Sequence, residues 1–176
     1  MNYQDEIEWL VTNPKRNNFI KNLALSLKGN SILFFQFVDK HGKVLYDLIK
    51  QECGDRPVFF ISGEVEGEER NEIRGIVEDL NDAIIVASYG TSSTGINIRK
   101  IRNLVFTSPS KSRVRVLQSI GRGLRLSKDD AVVTVYDIAD DLIWKSKENH
   151  TIKHYKERVK IYNEEQFDYK IYNVNL

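Results

Sequence analysis

SILFFQF, residues 31–37, breaks its apolar run only at Ser31 and Gln36. A strand with one wet face would alternate polar and apolar side chains, and this one does not. Its length suits a strand buried on both faces, as in a parallel sheet covered by helices on each side. Four more runs read the same way: PVFFI (57–61), AIIVA (83–87), NLVFT (103–107) and AVVTVYDI (131–138). Helical patterns lie between them. Asn13-Pro14 reads as a cap and first-turn proline, followed by a stripe of Ile20, Leu23, Ala24 and Leu27 that stops at Gly29. HGKVLYDLIKQ (41–51) reads as a second helix. Past the break at Gly63, EERNEIRGIVEDLN places Ile73, Ile76, Val77 and Leu80 at helical spacing, and RVRVLQSIGR (113–122) is a further helix. This alternation predicts a three-layer α/β domain with a mainly parallel sheet, its core at about 13–140. Functional loops then fall at the carboxyl ends of the strands, near 38–42, 62–68, 88–99, 108–112 and 138–141.

From Asp140 onward the pattern changes. Ile152, Tyr155, Val159 and Tyr162 mark one face of a helix, and FDYKIYNVNL alternates like a short terminal strand. We divide the chain into a domain at 1–140 and an appendage at 141–176 packed on it. The longest apolar run, ILFFQFV, is too short to span a bilayer and is interrupted by Gln36. MNYQDEIEWL is acidic and lacks the pattern of a signal peptide. Those features, with the single Cys53, which permits no intrachain disulfide, predict a cytoplasmic protein without a membrane segment. No metal site is expected: His150 and His154 stand four apart, but Thr151 occupies the place of the glutamate that a zinc helix needs. The net charge of +1 excludes a global basic field, so any nucleic acid must meet a local patch.

Nucleotide motifs are absent where they are first sought. The Gly42-Lys43 pair has Phe37 where a phosphate loop needs its first glycine and Val44 where it needs Ser or Thr. Asp5-Glu6-Ile7-Glu8 resembles an acidic box, yet no apolar strand precedes it. Gly121 and Gly123 lack the third glycine of a dinucleotide fingerprint, since Leu126 stands there. Two stretches do carry chemistry. SYGTSSTGINI (88–98) follows a strand and offers the hydroxyls of Ser88, Thr91, Ser92, Ser93 and Thr94, with Gly90 and Gly95 among them. Small donors at a strand's carboxyl end suit phosphate oxygens; a solvated surface loop would share the composition. QSIGRGLR (118–125) sets Arg122 and Arg125 three apart, on one face of a helical turn, with Gly121 beside them. Arginine clamps phosphate with a planar fork; a charged helix end in solvent is the bland alternative.

Taken in order, these pieces resemble the second RecA-like domain of superfamily 2 helicases. FFQF (34–37) and its following helix resemble motif IV, ASYGTSSTGINI (87–98) motif V, and QSIGRGLR motif VI. SGEVEGEER (62–70) is similar to the family's intervening stretch, through Gly63 and Arg70. The tail HTIKHYKERVKIYNEEQF resembles the branch of phage DNA helicases that act in recombination and stalled-fork repair.

The resemblance implies that Arg122 and Arg125 are arginine fingers, reaching ATP held by a first RecA-like domain in the same or a partner chain. It implies that Gln118 lies near the γ-phosphate, and that Gly95, Asn97 and Gly121 lie beside the nucleotide. It also assigns Ser92, Ser93, Thr94, Lys40 and His41 to the DNA backbone, single-stranded or branched. Mg²⁺ would be held mainly by the first domain; lacking the Walker A and B motifs, this chain alone is expected to be inactive. Asn97 stands where the family often has Asp, and Ser119 where many relatives have Arg. A stand-alone, non-catalytic binding module and half of an RNA helicase are the alternative readings.

Overall fold

A computed structural model describes residues 2–63, 67–89, 100–108, 132–143 and 145–176. Helices α1 (Tyr3–Thr12) and α2 (Pro14–Ser26) precede β1 (Asn30–Phe35). A π-helical turn, Val38–Gly42, leads into α3 (Lys43–Glu52), then β2 (Val58–Ile61), α4 (Gly67–Glu78), β3 (Ile84–Ser88) and β4 (Ile101–Phe106). Strand β5 (Thr134–Asp137) and helix α5 (His150–Glu164) follow.

These five strands form one sheet of order β2-β3-β1-β4-β5, with every pairing parallel. The central β1 is buried at all six positions, the physical reason SILFFQF shows no alternation. Its successive side chains enter opposite cores. Ile32 and Phe34 join Ile85, Leu104 and Phe106, and this layer is closed by Val159 and Tyr162 of α5 and Ile73 of α4. Leu33 and Phe35 join Ile84, Val86 and Val105 under Ile20 and Ala24 of α2 and Leu45 and Ile49 of α3. Each buried aromatic or aliphatic side chain contributes about 1.5–3 kcal/mol. The expected three-layer α/β architecture with a C-terminal helix is therefore present.

Local chemistry explains the element starts. The Asn13 side chain accepts the Arg16 backbone N–H at 3.1 Å, with Pro14 in the first turn of α2. Gly29 turns the chain toward β1 at φ +90°, a conformation that disfavours side chains. Two elements depart from the sequence reading. Helix α1 is additional to the expected elements; Asn2 and Asp5 form a reciprocal capping box, and Ile7, Leu10 and Val11 bury its inner face. The terminal strand expected in FDYKIYNVNL does not form. Residues 167–176 are exposed throughout. Alternation alone does not make a strand without a sheet edge to pair with, and here the segment leans on helix α5. Phe167 and Tyr169 set their rings 6.4 and 6.3 Å from that of Tyr162, and the Tyr169 hydroxyl donates to Asn163 Oδ1 at 3.1 Å. The helix expected at 113–122 lies outside the described residues.

Candidate functional site

At the carboxyl edge of the sheet the described ends of the central strands lie together. Pairing sets Phe35 beside Ser88 and Phe34 beside Phe106, so β1, β3 and β4 end side by side. Ser92, Ser93, Thr94, Gly95 and Asn97 follow β3 in the chain, and Gln118, Gly121, Arg122 and Arg125 follow β4. All nine lie outside the described residues. Their points of departure, Tyr89 and Ser108, are described. The Tyr89 hydroxyl donates to the Ser108 carbonyl at 3.0 Å, and its ring stacks on Phe34 at 5.6 Å. Thr107 donates through both its hydroxyl (2.6 Å) and its N–H (3.1 Å) to the Phe34 carbonyl. The exits of the two motif-bearing stretches are thus tied to each other and to the central strand.

Of the expected DNA contacts, Lys40 sits on the surface, its Nζ 2.7 Å from Glu8 Oε1. His41 is placed otherwise than expected. It is 0% exposed and presents no atom to a nucleic acid. The turn after β1 rolls its ring inward, where Nδ1 lies 2.9 Å from Ser108 Oγ and Nε2 lies 3.1 Å from Asn17 Oδ1. The neighbouring bonds assign the tautomer. Asn17 donates its amide to the Val11 carbonyl at 2.9 Å, so its Oδ1 is an acceptor and His41 Nε2 carries the proton. His41 Nδ1 then accepts from the Ser108 hydroxyl, whose oxygen in turn accepts the Gln36 N–H at 3.3 Å. One hydrogen-bonded chain runs from the carboxyl ends of β1 and β4 to the corner between α1 and α2.

Burial, aided by the positive charge of Arg16, lowers the His41 pKa from 6.5 to about 3. An unfolded chain takes up this proton near pH 6.5 and the folded one does not. The stability conferred is therefore complete above 6.5 and lost as pH falls toward about 3. Between pH 7 and pH 5 the unfolding free energy should drop by about 2 kcal/mol, read from denaturant midpoints. His41→Phe should remove that slope; a parent protein equally stable at both values would refute the neutral buried ring.

A second polar cluster lies beside the first. Arg16 is 2% exposed and grips Asp140 with two bonds, Nε to Oδ1 at 2.7 Å and Nη2 to Oδ2 at 3.0 Å. Glu6 of α1 receives the Thr151 N–H and hydroxyl, both at 2.8 Å, the His150 N–H at 2.9 Å and the Asn149 amide at 2.8 Å. It thereby caps α5 from across the molecule, satisfying donors that a helix start leaves open. Burial pushes the Glu6 carboxyl up, and these hydrogen bonds outweigh it and hold it below the usual value. Sequence reasoning misses Asn17, Arg16, Ser108 and Glu6 in these roles, because each partner lies far away along the chain. Among the described residues no group of three or more His, Cys, Asp or Glu is arranged to hold a metal, and no helix is long and apolar enough to cross a membrane.

A model of the helicase conserved C-terminal domain matches residues 14–127. The ATP-dependent DNA helicase UvsW of Enterobacteria phage T4 is 37% identical over 187 residues, which cover 99% of this chain and 37% of that protein. A putative helicase of Invertebrate iridescent virus 6 is 24% identical over 171 residues, 92% of this chain and 36% of that protein. The chain thus spans little more than a third of the curated relatives it matches. The crystal structure of T4 UvsW superposes with a TM-score of 0.77 over 94% of this chain and 35% of that one, at 37% identity. The C-terminal domain of the DEAD-box protein Dbp5 superposes with a TM-score of 0.61 over 88% of this chain and 82% of that one. At 17% identity it speaks for the fold alone, which is RecA-like.

Proposed function

Because the chain belongs to the helicase conserved C-terminal domain family, we propose that it works as the second RecA-like half of an ATP-dependent DNA helicase or translocase acting in phage recombination and stalled-fork repair. The observation that carries this is positional. The stretches resembling motifs V and VI leave the sheet from strands β3 and β4, which flank β1 on either side, beside the turn that follows the motif IV stretch, while the sequence holds no phosphate loop of its own. Two arginines without a nucleotide cradle suit a half-site that completes one carried elsewhere.

In this reading Arg122 and Arg125 stabilise charge on the transferring phosphoryl group, and Gln118 lies near the γ-phosphate. Gly95, Asn97 and Gly121 border the nucleotide, and the first RecA-like domain holds ATP with Mg²⁺. Ser92, Ser93, Thr94 and the exposed Lys40 face the DNA backbone, single-stranded or branched. His41 is not among these contacts. Gripping phosphate gives weak sequence preference and strong salt dependence. Modest net charge suits a domain that must release the strand in every cycle.

The test joins this chain to an ATP-binding RecA-like domain of the same helicase type, in one polypeptide or as two. This chain alone should hydrolyse no ATP, and the joined protein should hydrolyse it faster with DNA present. A joined protein that stays inactive with single-stranded and branched DNA would overturn the helicase reading. Salt-dependent DNA binding without any effect of nucleotide would mark a non-catalytic binding module in its place, and stimulation by RNA alone would change the strand gripped.

A further inference from the structure

Lys40, assigned above to the DNA backbone, already has a partner. Its Nζ lies 2.7 Å from Glu8 Oε1, an acid contributed by α1 from 32 residues back along the chain. A phosphate contact needs a cation without a competing acid, and here the acid is built in. Both partners are held from behind. Helix α1 is docked by its inner face, where Ile7, Leu10 and Val11 are buried and Glu6 receives four hydrogen bonds from the start of α5. Two residues are about 200° of helix, which turns Glu8 outward, where it is exposed. The turn that carries Lys40 is fixed as firmly. The buried His41 ring bonds Asn17, which donates to the Val11 carbonyl of α1. Gly42 packs so closely on Phe35 that an added Cβ would lie 2.5 Å from that ring. Turn and helix thus share a hydrogen-bonded seam, and the pair of Glu8 and Lys40 closes it at the surface.

The local charge is the reverse of what a phosphate grip requires. Helix α1 carries Asp5, Glu6 and Glu8 and neither lysine nor arginine. On the turn itself, Lys43 is paired with Asp39 at 2.7 Å. The helicase domain model matches from residue 14 onward, and α1 lies ahead of it. We infer that α1 is an electrostatic brake on nucleic acid: Glu8 occupies Lys40, and an entering phosphate must displace the carboxylate to reach the ammonium. The displaced acid then faces the charge of the strand. Repulsion offsets part of what the new contact contributes, and release of the strand is eased. The inference rests on the assignment of Lys40 to the DNA backbone under the helicase reading; the ion pair does not.

The measurement is binding of this chain to a dye-labelled oligothymidine strand, followed by fluorescence anisotropy at low and high salt. Glu8→Gln should raise affinity by about 2–5-fold at low salt, the worth of an exposed pair, and the gain should fade as salt screens the charges. The substitution leaves Glu6 and the buried face of α1 in place, so the unfolding midpoint should stay close to that of the parent. In a Lys40→Ala background the same substitution should change affinity by less than about 1.5-fold, because no ammonium remains to be released. An undiminished gain without Lys40 would show a general field of the acidic helix and overturn the inference. No gain with Lys40 present would overturn it too. Should the parent bind no strand, binding restored by Glu8→Gln would support the brake directly. If neither binds, the joined protein decides, through the DNA concentration that half-saturates ATP hydrolysis. A value lowered by Glu8→Gln supports the brake. An unchanged value overturns it and leaves the helicase reading standing, whereas a joined protein that hydrolyses no ATP with any DNA ends both.

Discussion

Arg122→Ala is expected to lower DNA-stimulated ATP hydrolysis in the joined enzyme by about 10³–10⁵-fold, with DNA affinity changed by no more than about twofold. The argument starts from charge. Phosphoryl transfer spreads negative charge over three equatorial oxygens, and a positive fork brought to them stabilises the transition state more than bound ATP. The loss should therefore fall on kcat, with KM for ATP nearly unchanged. Arg122→Lys should recover little, because a point charge on a flexible stem lacks the planar, bidentate fork. Steady-state ATPase rates over a range of ATP, with DNA saturating, give both parameters. Near wild-type turnover in Arg122→Ala would remove the finger assignment. A rise in KM with kcat intact would recast Arg122 as a ground-state contact to the nucleotide.

Legibility follows burial pattern. SILFFQF and AIIVA can be read as central strands because a strand covered on both faces leaves a one-dimensional signature, and Asn13-Pro14 marks a helix start through local chemistry that acts within three residues. Helix α1 carries an equally local signal in Asn2 and Asp5, but Asp5, Glu6 and Glu8 obscure it by making the segment look like an acidic surface; Glu6 in fact points inward to cap α5. FDYKIYNVNL has the period of a strand without a partner edge, and a period describes a chain's own faces, not what lies opposite. His41 shows the same limit more sharply. A polar residue in a turn after a strand reads as exposed, and only contacts spanning 24 and 67 residues reveal that it is interior. The apolar framework is written in neighbouring positions; the polar interior is written in pairs that the fold alone brings together.

The largest loss of stability is expected at Asp140. Asp140→Ala should cost about 3–5 kcal/mol, more than the loss of an exposed ion pair. The side chains of Arg16 and Asp140 are 2% and 11% exposed, so water cannot replace the lost carboxylate. Arg16 Nη1 is already buried without a hydrogen-bond partner, so the guanidinium depends on Asp140 through its other two nitrogens. Removing the acid strands a permanent charge in the interior, because arginine cannot shed its proton. The damage should spread, since the Asp140 carbonyl accepts the Asn149 amide at 3.0 Å, and Asn149 and Thr151 belong to the start of α5 that Glu6 caps. Denaturant unfolding of the chain measures the cost. Glu8→Ala serves as the control: it breaks the Lys40 pair, whose side chains are 57% and 59% exposed, and should cost no more than about 1 kcal/mol. Replacing both buried partners, Arg16→Met with Asp140→Leu, should recover most of the stability, because the penalty lies in the orphaned charge and not in the absence of the bond. An Asp140→Ala protein as stable as its parent would mean that Arg16 reaches solvent or another acceptor, and the tie between α2 and the end of β5 would lose its energetic role.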